Sequence, residues 1–159
     1  MVAAYVALGS NLDDPRAQVE RGFEALATLP RTRLLVRSRL YRTPPWGVRE
    51  QPDFVNAAAR LETALPPRAL LDALLAIETR AGRSRGVPNG PRILDLDLLA
   101  YADEVLDTPG LVIPHPRLHE RAFVLLPLAD IAPDLDVPGH GRVADLLERT
   151  DTSGSTRLD

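Results

Sequence analysis

Apolar and polar residues in the first part of the chain follow first a strand-like and then a helical period. Residues 2–8 are a β-branched and apolar run that ends in Gly-Ser-Asn, which predicts a buried strand followed by a turn. An Asp-Asp-Pro sequence at residues 13–15 has the residue types that cap and open a helix. Apolar residues then recur at helical spacing until Pro30, so we predict a helix between these two points.

The same patterns predict four further elements, three strands and one helix, before residue 102. Residues 33–42 alternate in part and predict a strand, which stops before a Pro-Pro pair because proline cannot donate to a sheet. Residues 53–62 put apolar side chains on one face and predict another strand. A second Pro-Pro pair opens a predicted helix that ends at Gly82, and residues 94–101 alternate as a strand. The apolar stripe of this helix is predicted to consist of Leu70, Leu71, Leu74, Leu75 and Ile77.

The predicted order of elements, β-α-β-β-α-β, is that of an α+β ferredoxin-like sandwich with an antiparallel sheet. A helix or helical turn over residues 115–129 adds a C-terminal helical appendage. At 159 residues the chain has the length of one domain, which we assign to residues 1–149. The polar residues 150–159 are predicted to form a flexible tail. A chain of this length is expected to be monofunctional rather than a fusion of two proteins.

The choice of basic and sulfur-containing residues excludes several chemistries. All 19 basic residues are arginine, since the sequence contains no lysine, and it contains no cysteine. Schiff-base catalysis, a lysine-containing phosphate loop, thiol nucleophiles and thiolate metal sites are therefore excluded. Carboxylates and arginines remain, and they suit a phosphate-bearing substrate with a hard cation such as Mg²⁺. Arginine in place of lysine also follows from a GC-rich or heat-adapted genome.

The overall charge argues against two classes of partner. A net charge of -3 and a pI of about 5.6 provide no electrostatic footprint for nucleic acid or for an anionic membrane. No apolar run approaches the ~18 residues of a membrane span, and the first ten residues lack the basic region of a targeting segment. We therefore expect a cytoplasmic monomer that acts on small molecules and binds neither nucleic acid nor membrane.

Asp95 and Asp97 are predicted to project from the same side of the strand over residues 94–101. The period of two sends the three flanking leucines to the other face and leaves the carboxylates roughly 7 Å apart along the strand. Like charges held together repel and a divalent cation relieves that repulsion, so the pair fits a site for one or two Mg²⁺ ions. A solvated polar face on an edge strand would produce the same pattern.

Three arginines precede this pair in a loop rich in turn-forming residues. Arg83, Arg85 and Arg92 lie among glycine, proline and asparagine. The loop fits a lid that carries cations toward a metal-bound phosphate, and it equally fits a solvated basic loop. Metal ligands and arginines that are adjacent in sequence favour polyphosphate transfer more than either does alone.

Other candidate residues suit a flat heterocycle and a phosphate. Phe54 and Asn56 share a face of their predicted strand, where the ring could stack on a heterocycle and the amide could bind its edge. Phe123 could provide a second stacking ring. The alternative is a core phenylalanine beside a strand-end asparagine. Glu78 lies beside the apolar stripe and faces either a ligand or water. His115 stands between two prolines, a rigid mounting that suits phosphate binding or packing alone.

Six segments form a collinear set of motifs: ALGSNL, YRTPPWG, QPDFVNAA, IETRAGR, GPRILDLDLL and IPHPRLHERAFVLLPL. Together they resemble the 6-hydroxymethyl-7,8-dihydropterin pyrophosphokinase family of folate biosynthesis. The resemblance runs from about Val2 to Pro138. Six motifs in this order are much more specific than any one of them alone.

The resemblance implies transfer of the β,γ-pyrophosphoryl unit of ATP to the hydroxymethyl oxygen of the pterin, with release of AMP and with two Mg²⁺ ions. It implies that Asp95 and Asp97 are the metal ligands and that Arg83 and Arg92 stabilise charge with them. The implied pterin-binding residues are Thr43, Pro44, Trp46, Phe54, Asn56 and Phe123. The implied ATP-binding residues are Glu78, Arg83, Arg85, Arg92, His115 and Arg121.

Three positions depart from the family pattern. Asn89 stands where an aromatic residue often precedes the Gly-Pro-Arg of the lid. Leu75 stands where some members have a glutamine near the adenine, and Pro116 where some have a tyrosine. We expect the metal and pterin sites to follow the family pattern, and the lid and these nucleotide contacts to differ from it.

Two other functions fit parts of the same sequence. A ligand-sensing module on the same sandwich would bind a heterocycle or nucleotide without chemistry, but it leaves the arginines of residues 83–92 unexplained. A two-metal nuclease would use the aspartate pair, but the negative net charge and the lack of lysine disfavour a groove that follows a nucleic-acid backbone.

Overall fold

The computed structural model describes residues 1–45, 50–82 and 93–158. The strands of the main sheet are β1 (Val2–Ser10), β2 (Thr32–Arg37), β3 (Leu40–Thr43), β4 (Phe54–Thr63), β5 (Asp95–Tyr101) and β10 (Thr156–Leu158). Two hairpins are formed by β6 (Leu106–Thr108) with β7 (Leu111–Ile113), and by β8 (Asp136–Val137) with β9 (Gly141–Arg142). The helices are α1 (Pro15–Ala27), α2 (Pro67–Arg80), α3 (Ala122–Ile131) and α4 (Val143–Glu148), with a 3-10 turn at Leu118–Glu120.

The main sheet is antiparallel, and its spatial order is β10-β3-β4-β1-β5, with β2 pairing along β4 beside β3. If β2 and β3 are taken as one interrupted strand, the first part of the chain has the β-α-β-β-α-β connectivity predicted from the sequence. The mixed α/β fold with an antiparallel sheet is therefore confirmed.

The strand predicted over residues 33–42 is divided in two. At Ser38 the backbone N–H donates to the carbonyl of Ala58, and the hydroxyl accepts from the N–H of Ala58 at 2.7 Å. The next N–H, of Arg39, donates to the carboxylate of Asp130 on α3 instead of to β4. The prediction of one continuous strand is wrong at these two residues, because tertiary contacts replace the ladder there.

The two long helices begin and end where their flanking residues predict. Asp14 accepts from the N–H of Ala17, and Pro15 opens α1. Pro67 opens α2, and Gly82 follows its end with a φ of +97°. The predicted apolar stripe of α2 is wrong at Leu75, whose surface is 44% exposed.

Helices cover both faces of the sheet. One face packs against α1 and α2, in a core that includes Leu8 of β1, Ala57 of β4 and Leu96 of β5. The opposite face packs against α3 and α4, in a second core that includes Tyr5 and Leu99. The predicted C-terminal appendage is thus a second layer on the sheet, and the side chains of the long strands alternate between the two layers, except at a β-bulge in β5 where two neighbouring side chains share the α3 side.

The segment predicted to be a flexible tail contains ordered backbone pairing. Residues Thr156–Leu158 form β10, which pairs antiparallel with β3. A three-residue strand is too short to show alternation in the sequence, and its partner lies more than a hundred residues away. Within the described ranges, no helix has both the length and the hydropathy that crossing a membrane requires.

Candidate active site

Four strands bring one row of residues into register on the α3 side of the sheet. Tyr41 of β3 lies opposite Asn56 of β4, Asn56 lies opposite Gly9 of β1, and Gly9 lies opposite Asp95 of β5. Residues directly opposite in antiparallel strands point to the same face. Since neighbouring strands are about 4.8 Å apart, Asn56 and Asp95 are about 10 Å apart across the sheet.

Asp95 and Asp97 project from the same side of β5, so their predicted placement is confirmed. Both are half-buried, whereas the leucines that alternate with them are buried in the α1 and α2 layer. Asp97 lies opposite Ala7 in the next row of the α3 face. The guanidinium of Arg121, just before α3, interacts electrostatically with both carboxylates. Burial and the nearby Arg117 lower the pKa of Arg121, and the two aspartates act in the opposite direction.

Glu78 closes the edge of β5 from the side of α2. It is only 1% exposed, and its Oε2 accepts the backbone N–H of Leu96 at 2.7 Å. The sequence left open whether this side chain faces a ligand or water; burial excludes an extended position in water. A buried carboxylate needs hydrogen-bond donors, and the edge of β5 provides one beside Asp95 and Asp97.

His115 is held at the same edge by two hydrogen bonds. Its backbone N–H donates to the carbonyl of Leu99 at 2.9 Å, and its Nδ1 accepts the N–H of Arg117 at 3.2 Å. With Nδ1 as acceptor, a neutral ring carries its proton on Nε2. Burial lowers the pKa of His115, the charge of Arg121 lowers it further, and Asp95 partly offsets these effects. The ring is therefore a neutral donor at pH 7.

A cleft of about 290 Å³ runs along this edge of β5. Its polar lining consists of Glu78, Asp95, Asp97 and His115. Its apolar lining includes Leu71, Leu75, Leu111, Val112 and Pro116. Leu75 and Pro116, two of the positions expected to depart from the family pattern, thus lie in this cleft and give it apolar surface.

A second cleft, of about 640 Å³, lies between the end of β3 and the start of α3. Thr43, Pro44, Arg121 and Phe123 are among its lining residues. The Arg121 guanidinium carbon stands 5.4 Å from the centre of the Phe123 ring. Residues from the segment predicted to be a tail complete the lining: Thr150, Asp151, Ser153, Gly154 and Ser155. Nothing in their local sequence indicates this role, because the pairing of β10 with β3 places them there.

Asn56 lies between the two clefts, and its orientation is fixed. The Thr43 hydroxyl donates to Asn56 Oδ1 at 2.5 Å, and both side chains are buried. The amide nitrogen is therefore directed over Gly9, where an added Cβ would stand 2.8 Å from it. A glycine at this position makes room for the amide. The local Gly-Ser-Asn sequence at residues 9–11 indicates only a turn, and the contact between Gly9 and Asn56 cannot be predicted from it.

The structure joins some predicted site residues and leaves others apart or undescribed. Phe54 lies on β4 two residues from Asn56, but it is not among the residues that line the cleft of Phe123. The predicted residues Trp46, Arg83, Arg85, Asn89 and Arg92 lie outside the described residues. Among the residues that the structure does describe, Asp95 and Asp97 have no third histidine or acidic residue placed to complete a metal site with them.

Comparison with known proteins identifies a consistent group of relatives. The family model described as 7,8-dihydro-6-hydroxymethylpterin-pyrophosphokinase (HPPK) matches residues 5–133. A 2-amino-4-hydroxy-6-hydroxymethyldihydropteridine pyrophosphokinase from Pseudomonas aeruginosa is 49% identical and covers 97% of this chain and 95% of its own length. The proteins of the same name from Methylorubrum extorquens and Haemophilus influenzae are 45% and 43% identical, and they cover 100% and 94% of this chain and 100% and 93% of their own lengths.

Solved structures show the same fold at lower sequence identity. A Plasmodium falciparum HPPK-DHPS determined with pteroate has a TM-score of 0.74 and 14% identity, over 93% of this chain and 42% of that one. The S436F/A437G/A613T triple mutant of that protein has a TM-score of 0.75 at 14% identity, over 98% of this chain and 46% of that one. This chain therefore spans less than half of those longer proteins, and the likeness concerns the fold.

Proposed function

The chain belongs to the 7,8-dihydro-6-hydroxymethylpterin-pyrophosphokinase family, and from this premise we propose how its residues divide the reaction between them. The chain is a pyrophosphokinase of folate biosynthesis that acts on the hydroxymethyl dihydropteridine, with ATP as its co-substrate. In our proposal the pterin hydroxyl oxygen attacks the β-phosphorus of ATP, the bond from that phosphorus to the α-phosphate oxygen breaks, and AMP leaves.

Asp95 and Asp97 would hold the two Mg²⁺ ions of this reaction. Two carboxylates on one side of a strand form the oxygen donor set that Mg²⁺ prefers. Mg²⁺ keeps several waters and binds phosphate oxygens, so two protein carboxylates are enough, in line with the lack of a third ligand among residues 1–45, 50–82 and 93–158. The ions would neutralise charge on the triphosphate and align it.

The phosphates would be bound by arginines and by His115. Arg121 lies beside both aspartates and keeps its positive charge there, because an arginine side chain is protonated at any ordinary pH. The neutral His115 ring would donate from Nε2 to a phosphate oxygen. Arg83, Arg85 and Arg92 would approach from the lid, with Arg83 and Arg92 stabilising the charge that develops on transfer.

The nucleoside would occupy the apolar part of the cleft along β5. Leu75 and Val112 are partly exposed there, and a purine base would cover their surface. Glu78 would border the same nucleotide and, through its bond to the N–H of Leu96, hold the edge of β5 on which the metal ligands stand.

The pterin would be bound at the β3 and β4 end of the row of opposed residues, away from the nucleotide cleft along β5. Asn56, oriented by Thr43, would bind the edge of the ring, and Phe54 and Phe123 would stack on its two faces. The backbone of Pro44 and Trp46 would contact the same ring. The observation that carries the proposal is the row that separates Asn56 from Asp95 by two strand spacings. A bicyclic ring bound at Asn56 would extend its hydroxymethyl arm toward the metal ligands.

No residue has to act as a strong base in this arrangement. Positioning converts the encounter of two bound substrates into an effectively unimolecular step, and this is a large source of rate enhancement. We further propose that the chain acts on small molecules as a monomer and binds neither nucleic acid nor membrane, because its net charge of -3 provides no electrostatic footprint for an anionic partner. The need for ATP supports a cytoplasmic location.

The test is an assay for AMP release from Mg²⁺-ATP with and without 6-hydroxymethyl-7,8-dihydropterin. We expect AMP and the diphosphorylated pterin in equal amounts, and no AMP when the pterin or Mg²⁺ is left out. A ligand-induced rise in melting temperature without AMP would indicate a sensing module instead. Cleavage of a nucleic-acid strand by the same preparation would indicate a nuclease.

A further inference from the structure

We propose that Tyr41 and Asp130 form a brace between β3 and α3 that positions Phe123 relative to Asn56, and that both are positioning residues for the pterin. The inference rests on the proposed function, because it assumes that Phe123 stacks on the pterin. Neither residue lines the described cleft around Phe123, and neither was among the site residues predicted from the sequence.

The brace consists of two donors that share one carboxylate. The Tyr41 hydroxyl donates to Asp130, with both carboxylate oxygens at 2.9 Å, and the N–H of Arg39 donates to Oδ2 at 3.2 Å. Tyr41 is directly opposite Asn56 in the register of β3 and β4. The strand end of the brace is therefore built on the row that contains the proposed pterin-binding amide.

The helix end of the brace is aligned with Phe123. Asp130 lies in the last turn of α3 and Phe123 in its first turn, seven residues apart. Seven residues are close to two helical turns, so the two side chains leave the helix on nearly the same side, about 20° apart. A contact that fixes Asp130 against β3 thus fixes the rotation and the height of the helix that carries Phe123.

α3 needs such a contact because its own ladder is interrupted. Pro127 lies inside the helix and has no N–H to donate to the carbonyl four residues earlier, which is that of Phe123. One intrahelical hydrogen bond is therefore missing, although the segment remains one helix from Ala122 to Ile131. Contacts with the sheet consequently contribute more to where α3 as a whole lies, and the brace is a polar contact that joins α3 to β3 beside Asn56.

The Tyr41 donor of the brace stays protonated over the pH range of an assay. Burial and the hydrogen bond to Asp130 raise the pKa of Tyr41 to about 12. The phenol therefore remains a neutral donor, and a hydrogen bond to a charged acceptor is among the stronger ones in proteins. Removal of the hydroxyl should loosen the contact between β3 and α3 without changing the aromatic packing of Tyr41.

The experiment is Tyr41→Phe, assayed for both substrates. We expect the KM and the dissociation constant of the pterin to rise about tenfold, as loss of a hydrogen bond to a carboxylate would cause, while the KM of ATP stays within about twofold. The matched control is Tyr101→Phe. Tyr101 is equally buried, at 7% exposed, and its hydroxyl donates to the Leu65 carbonyl at 2.7 Å, at the far end of β5 from Asp95.

Tyr101→Phe should lower the melting temperature about as much as Tyr41→Phe and leave the pterin KM unchanged. A pterin KM within twofold of wild type in Tyr41→Phe, or an equal rise in both variants, would overturn the brace. Asp130→Asn, which keeps one acceptor oxygen, should raise the pterin KM less than Tyr41→Phe does; an equal or larger rise would show that the charge, not the brace geometry, controls binding.

A double variant separates failure of the brace from failure of the proposed function. In a Phe123→Ala background, Tyr41→Phe should cause no further rise in the pterin KM, because the brace acts through Phe123. If Phe123→Ala alone leaves pterin binding unchanged, the proposed stacking is wrong. If Phe123→Ala weakens binding but the two substitutions are additive, the stacking stands and the brace is wrong.

Discussion

Leu8 and Gly9 are neighbours in β1, yet they belong to different parts of the molecule. Leu8 is buried in the layer of α1 and α2, where an added Cβ at Gly22 would stand 2.9 Å from it. Gly9 faces the α3 side, under the amide of Asn56 and opposite Asp95. At this end of the sheet the first face holds apolar volume. The other face, which we call the functional face, holds the polar row at set distances here and packs the second core against α3 and α4 farther along the strands. Substitutions at Leu8 should therefore reduce stability, and substitutions in the polar row should reduce catalysis.

The largest effect is expected from Asp97→Asn on the functional face. Loss of one carboxylate removes half of the proposed metal-binding pair, so turnover should fall by about 10³-fold or more. The melting temperature should change little, since Asp97 is half-buried and the amide has the same shape. Steady-state AMP release and thermal melting measure the two quantities. The control is Asp107→Asn on the exposed β6, which should keep wild-type turnover; wild-type turnover in Asp97→Asn would remove the metal role.

Leu8→Ala should produce the opposite result on the other face. Truncation of a fully buried leucine costs about 2–5 kcal/mol of unfolding free energy, from lost burial and from the cavity that remains. The kcat of the folded fraction should stay within about twofold of wild type. Urea unfolding together with AMP release, at a temperature where the variant is folded, measures both. A large loss of kcat with little loss of stability would contradict the division between the two faces.

The next prediction concerns Gly9→Ala, one residue after Leu8 and on the functional face. The new Cβ would stand 2.8 Å from Asn56 Nδ2, and Thr43 holds the other end of that amide, so the amide must shift. Such overpacking costs about 1–3 kcal/mol, and we expect about a tenfold rise in the KM of the pterin. Gly22→Ala is the matched control, because its Cβ meets Leu8 on the other face at 2.9 Å. It should lower stability and leave the pterin KM unchanged.

The face that holds apolar volume was largely predictable from the sequence. The strands β1, β4 and β5 and the helix α2 have long periodic patterns and flanking prolines or glycines, and each occurs close to its predicted range. The break between β2 and β3 was not predictable, because it depends on Ser38 meeting β4 and on Arg39 meeting Asp130. Contacts at such sequence distances leave no local pattern.

On the functional face, the residues that matter were predictable only where a local period or a sequence motif indicated them. The period of two placed Asp95 and Asp97 on one side correctly, and the motifs named Asn56 and Phe123 as site residues, whose roles stay predictions. Burial of Glu78 against Leu96 and the cleft wall at 150–155 depend on packing between distant segments. The contact between Gly9 and Asn56 depends on strand register, which a single sequence does not specify.

The smallest expected effect is a change in how the free energy of unfolding depends on pH, and we expect it in the variant His115→Gln. Burial, followed by the charge of Arg121, lowers the pKa of His115 in the folded chain from the ordinary value of 6.5. Below pH 6.5 the unfolded chain therefore takes up a proton that the folded chain resists, and the free energy of unfolding falls as pH falls toward the folded-state pKa.

The variant lacks this group, so its unfolding free energy should fall less over the same interval. Urea unfolding of the ligand-free chain at a series of pH values below neutrality measures the difference. Equal pH dependence in both proteins would mean that the His115 ring is not desolvated at the edge of β5, and that this part of the functional face is as open to water as an ordinary surface.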